Sequence, residues 1–132
     1  MFDELKKYKK NGHFFFKKGN NLAEVGNEVP ELPGVYYIIR LANDSVDLVY
    51  MGKSGIKTPT GKNKNSDLKK SIHLQQEFLD IKMSESNIDG LDIYWFVTLD
   101  SHHIDLPDYV LGLIMQTHYD LYRRLPEWNM GD

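Results

Sequence analysis

The stretch GVYYIIRLANDSVDLVYMGKSG, Gly34 to Gly55, decides the fold. Its first part, Gly34–Leu41, is a run of β-branched and aromatic residues, a composition that suits a pleated surface. Ala42-Asn43-Asp44-Ser45 supplies turn residues. Val46–Gly52 is a second apolar run. Two such runs around a short polar turn predict a β-hairpin over Gly34–Gly52. Each arm carries a tyrosine near a glycine, Tyr36 beside Gly34 and Tyr50 beside Gly52. In an arbitrary hairpin such tyrosines simply pack and hydrogen-bond as strand aromatics.

Upstream, VPELPG is a loop, because its two prolines suit neither a helix interior nor a central strand. HFFFKKGNNL reads as a strand or extended segment followed by a turn, and FDELKKYKK as a short helix closed by Asn11-Gly12. Downstream, KSGIKTPTGKNKNS is a polar surface loop. SDLKKSIHLQQEFLDIKM predicts one helix, capped by Ser66 or Asp67, with Leu68, Ile72 and Leu79 on its apolar stripe. LDIYWFVT is nearly all apolar and predicts a buried central strand. After the loop LDSHHIDLP, a helix begins near Pro107 with Asp105 as its cap. Val110, Leu113, Ile114, Thr117 and Leu121 form its apolar face. PEWNMGD is a tail. The pattern predicts a small α+β domain: a central antiparallel sheet of about three strands flanked by helices that must cover it. The chain reads as a single domain, with residues 1–27 as an N-terminal extension.

Length and composition set bounds. The 132 residues, 41% of them hydrophobic, suffice for one core. No window is apolar and long enough to span a membrane, so no membrane partner is expected. The N-terminus MFDELKKYKK has no apolar region after its charges, so no secretory signal is read. The chain has no cysteine, which excludes disulfides and thiolate metal sites and fits a cytoplasmic location. The net charge of −3 is unevenly spread: residues 1–73 carry 13 basic and 8 acidic side chains, residues 74–132 carry 3 and 11. The basic half suits phosphate and the acidic half a protein partner.

The order of these elements resembles the GIY-YIG endonuclease family. Gly34-Val35-Tyr36 stands for the first signature and Tyr50-Met51-Gly52 for the second, and the hairpin between them has the right length. A helix, a buried strand and a long helix follow. The chain closes on Pro126-Glu127-Trp128-Asn129, similar to the family's terminal Trp-Asn or Leu-Asn. The resemblance covers roughly residues 28–129.

It implies phosphodiester hydrolysis in DNA with Mg²⁺ or Mn²⁺, a hard cation that wants oxygen ligands. Tyr36 would be the general base, although a phenol with an unperturbed pKa of about 10 must be tuned for that work. Tyr50 would orient water or phosphate. Gly34, Gly52 and Asn129 would shape the site. The family's helix arginine and metal-binding glutamate are missing, however. The arginine position falls at Ser71, or at Lys70 one residue earlier. The glutamate position falls at Leu111, or at Val110. Lysine keeps a charge but loses the bidentate fork, serine loses both, and leucine binds no metal. Asp108, one turn earlier, is the substitute metal ligand. His73 matches a first-helix histidine of some GIY-YIG restriction enzymes.

Two functions from different classes follow. One is a DNA-associated nuclease fold with reduced or lost cleavage, binding phosphate through Lys53, Lys57, Lys62, Lys64, Lys69 and Lys70 with no cofactor. Lys6–Lys10 and Lys17–Lys18 extend that surface. The other is an active, divergent metal-dependent endonuclease. A protein-binding or regulatory module on the same fold is a third reading. MGKSG is not a phosphate-binding P-loop, since that motif needs a glycine where Asp47 stands. His102 and His103 are neighbours in a loop, and adjacent side chains rarely converge on one ion.

Overall fold

The computed structural model describes residues 2–56, 65–85 and 87–130. Its centre is an antiparallel sheet of four strands in the order β1-β4-β2-β3. β2 (Gly34–Ala42) and β3 (Ser45–Lys53) are the expected hairpin. Asn43 and Asp44 take positive φ angles of 49° and 64° at its turn. Two left-handed residues in a two-residue loop match the right-handed twist of the strands, which favours asparagine and aspartate there. The ladder shifts between Ile38 and Ile39, so Val49 is an extra residue on β3. The bulge turns Val49 and Tyr50 toward one core and leaves Leu48 and Met51 on the other.

β4 (Gly90–Val97) lies centrally, between β2 and β1, as the apolar run LDIYWFVT predicts. β1 (Asn11–Phe16) pairs with β4 from Asn11↔Phe96 to Phe16↔Leu91. The sheet therefore has four strands, not three, and the segment set aside as an extension supplies its edge. The three phenylalanines alternate as a strand must: Phe16 is fully buried and Phe15 is 52% exposed.

One face of the sheet packs Tyr36, Ile38, Val49, Leu91, Ile93 and Val97 against helices. These are α1 (Leu22–Val25), α2 (Leu68–His73) and α3 (Gln76–Glu85). The single helix expected over Ser66–Met83 is thus two, broken at Leu74–Gln75. Asp67 caps α2 by accepting from the Lys70 amide at 2.8 Å. Gln76 starts α3 tied to the turn before α1: its side chain accepts from Leu22 N at 2.6 Å and donates to Asn20 O at 3.1 Å.

The other face packs Val35 and Met51 against α4 (Pro107–Tyr122) and against Phe2, Leu5 and Tyr8 of the N-terminus. The buried face of α4 is Pro107, Val110, Ile114 and His118. Leu113 and Leu121, expected in that face, are 37% and 62% exposed. His118 takes the inner position because its ring nitrogen bonds the Arg124 carbonyl at 2.9 Å. Leu106, not Asp105, is the cap residue of α4. Asp105 is engaged elsewhere, by the Tyr8 hydroxyl at 2.5 Å and the Lys7 ammonium at 2.9 Å. Among the described residues, no helix is long and apolar enough to cross a membrane.

The Tyr8 hydroxyl, and after it Lys7, hold the Asp105 carboxyl below its ordinary range. A carboxyl with a depressed folded-state pKa adds stability that is complete above its unfolded value of about 3.9. That stability is lost as pH falls through the lowered folded value. Tyr8→Phe removes the largest cause of the depression. Its urea midpoint is expected to lie below that of the wild type near neutral pH, and the gap to narrow below about pH 4. A gap independent of pH would assign the loss to packing alone.

Candidate functional site

The hairpin ends at a cavity of about 400 Å³ whose wall includes Tyr36, Tyr50, Gly52, Gln75, Leu111 and Asn129. Tyr36 lies on β2 and is 2% exposed. Its ring lies directly over Gly52. A Cβ there would meet the ring carbons, with the hydroxyl oxygen 2.6 Å away, so only glycine leaves room for the tyrosine. Gly34 is constrained in the same way by the Phe96 carbonyl. It also exchanges hydrogen bonds with Ser54, donating to Oγ at 3.0 Å and accepting from N at 2.9 Å. Gly34 and Gly52 thus shape the site by letting other groups approach.

Gln75 joins the two tyrosines. Its Nε2 donates to the Tyr36 hydroxyl at 2.8 Å and reaches the Tyr50 hydroxyl at 3.5 Å. Burial, and after it the neighbouring Tyr50, push the Tyr36 phenol far above its ordinary range. A general base needs the opposite shift, since it must offer an unprotonated oxygen near the working pH. In this state Tyr36 is a neutral hydroxyl held in place by an amide.

Asn129 closes the cavity from the tail. Its Oδ1 accepts from Met51 N at 2.8 Å and its Nδ2 donates to Met51 O at 2.9 Å. β3 is an edge strand, and this one side chain satisfies both outward-facing groups of Met51 as a neighbouring strand would. The tail is anchored twice more. Arg40 grips Glu127 through two hydrogen bonds of 3.1 and 3.2 Å, and Trp128 sets its ring edge-on to Phe78 at 6.0 Å.

The charged residues expected here are differently placed. Lys53 lines the cavity, but its ammonium pairs with Asp108 at 2.9 Å. Asp108 is the proposed substitute ligand, and its side chain is 77% exposed and outside the lining. Ser71 is in the wall, its hydroxyl donating to Asn65 O at 3.0 Å. Lys70 is outside the lining and faces Asp67 at 3.7 Å, and Lys69 is also outside it. His73 points elsewhere, its Nε2 3.3 Å from the Gly26 carbonyl. Lys57, Lys62 and Lys64 lie outside the described residues.

No family model, curated protein or solved structure matches the chain. The site is therefore read from its own chemistry.

That chemistry does not suit a divalent cation. Mg²⁺ takes carboxylate and other oxygen ligands in near-octahedral order, and among the described residues the cavity wall contains no carboxylate. Among the described residues, no group of three or more His, Cys, Asp or Glu side chains converges. Among the described residues the wall offers hydroxyls, amides and one ammonium already paired. Such groups can hold an oxygen-rich ligand. Gln75 was not anticipated from sequence. Its only signal was its place four residues after Ser71, on the same helical face.

Proposed function

We propose that this chain is a divergent GIY-YIG nuclease-fold protein that associates with DNA and has reduced or lost its endonuclease chemistry. The observation that carries this reading is the lining of the tyrosine cavity. Ser71 and Leu111, the positions where the resemblance expects the arginine and the glutamate, line it together with Tyr36 and Tyr50. Serine supplies no charge to a developing phosphorane, and leucine supplies no ligand to a metal. Removing one preorganised electrostatic contact commonly costs about 10²–10³ in rate. Removing the cation and the metal ligand together leaves positioning without chemistry. The high pKa of Tyr36 supports the same reading. A protein-binding role is favoured by a different observation, the exposure of Leu106, Tyr109, Leu121 and Tyr122 on the acidic half.

The test is nicking of supercoiled plasmid with Mg²⁺ and with Mn²⁺. Wild-type protein is expected to leave the plasmid intact and to retard it in a gel at low salt. The double variant Ser71→Arg, Leu111→Glu is expected to gain nicking, and adding Tyr36→Phe to remove it. Metal-dependent cleavage by the wild type, lost in Tyr36→Phe, would instead establish the active endonuclease. A wild type that neither cleaves nor retards DNA would leave the protein-binding module.

A further inference from the structure

Lys6, Lys7, Lys53 and Lys70, all candidates for phosphate on sequence grounds, spend their charge on Asp3, Asp105, Asp108 and Asp67. Lys9 and Lys10 do not. Among the described residues neither has a salt-bridge partner. Both line a second cavity, of about 840 Å³, with Asn11, Asp100, His102 and His103. Its floor is rigid. Lys10 precedes β1, and its carbonyl accepts from Val97 N at 3.0 Å, which fixes the segment to the end of β4. The histidines sit on a closed turn: Asp100 N donates to the His103 carbonyl at 2.8 Å. Asp100 Oδ1 accepts from the amides of both His102 and His103 at 2.8 Å. The one carboxylate in the cleft is thereby held by two backbone donors. The His103 ring rests edge-on against Tyr8 at 5.1 Å. Two lysines without a salt-bridge partner among the described residues and two histidines line one hollow, although the two histidines are neighbours in sequence.

The cleft lies at the same end of the sheet as the tyrosine cavity. The start of β1 and the end of β4 meet here, as the start of β2 and the end of β3 meet there. Across the order β1-β4-β2-β3, three strand spacings of about 4.8 Å put roughly 14 Å between the two. At about 3.4 Å of rise per nucleotide, one strand reaches from one to the other in roughly four nucleotides.

We propose that the cleft of Lys9, Lys10, His102 and His103 is an anion site that takes backbone phosphates of a nucleic acid lying along the strand ends. The inference rests on the DNA-association reading for its ligand. Its cations are free, whereas Lys53 at the tyrosine cavity must leave Asp108 before it can meet a phosphate.

The test measures anisotropy of a labelled DNA duplex over a salt series, for wild type, Lys9→Ala/Lys10→Ala, Lys9→Gln/Lys10→Gln and Lys53→Ala. Matching thermal midpoints establish that both double variants fold. Each double variant is expected to bind roughly tenfold more weakly at low salt, with a log K against log salt slope shallower by about 1.8. Lys53→Ala is expected to change binding much less. DNA binding unchanged in both double variants would overturn the anion site while the DNA-association reading stands. Should the wild type not bind DNA, inorganic phosphate is titrated alone and the imidazole signals of His102 and His103 are followed by NMR. Shifts that vanish in the double variants would keep the anion site and sink the DNA reading, and no shift would overturn both.

Discussion

Gly34→Ala is expected to lower stability by about 3 kcal/mol or more, because overpacking against backbone cannot be relieved by a rotamer change. The added methyl would run into the carbonyl of Phe96 and lie 2.8 Å from Leu68 Cδ1. That carbonyl belongs to β4, which pairs with β2 at this point through Gly34↔Val97. Relief requires the two central strands to part where Ser54 and Gly34 also exchange hydrogen bonds. Gly112→Ala is the control. It lies in α4 with nothing within 4 Å of the new methyl, so it is expected to gain about 0.5–1 kcal/mol from lower backbone entropy in the unfolded chain. Urea midpoints of the two variants should move in opposite directions. Equal midpoints would show that the strands tolerate the methyl and that the Gly34 constraint is overstated.

Asn129→Ala is expected to cost about 2–3 kcal/mol, the loss of two hydrogen bonds whose backbone partners are left part-buried. The more specific readout is local. Hydrogen exchange at the Met51 amide should accelerate by more than global unfolding accounts for, while amides at the β2–β4 pairing keep their protection. Asn129→Asp is expected to fall between the two, since an acceptor remains for Met51 N but a carboxylate then faces the Met51 carbonyl. A Met51 amide equally protected in all three proteins would mean that the tail does not hold the strand.

The sequence-readable parts of this fold are those where local chemistry and tertiary fate agree. Asn43-Asp44 between two β-branched runs favours the hairpin because a left-handed two-residue turn matches the twist of the strands it joins. Leu91–Thr98 reads as central because it is apolar on both faces. β1 is harder to read, since Asn11-Gly12 looks like a stop and only pairing with β4 makes it a start. The break between α2 and α3 is invisible in the sequence: Leu74 and Gln75 are ordinary helix residues. Gln75 stands at the break, where its amide donates to the buried Tyr36 hydroxyl and reaches the half-buried Tyr50 hydroxyl. Tyr36, Tyr50, Gly52, Ser71, Leu111 and Asn129 do meet at one cavity. Charge was the poorest guide, because counting lysines cannot tell which are already paired. Lys53 and Lys70 are, and among the described residues Lys9 and Lys10 are not.

The pairing of β1 also fixes an order of events during synthesis. Ala42 and Ser45 are partners within the hairpin, so β2 and β3 can zip as soon as both leave the ribosome. Asn11, by contrast, waits for Phe96. Of the four strands described, β1 is made before the other three yet pairs only with β4, so until β4 arrives its phenylalanines have no ladder to join.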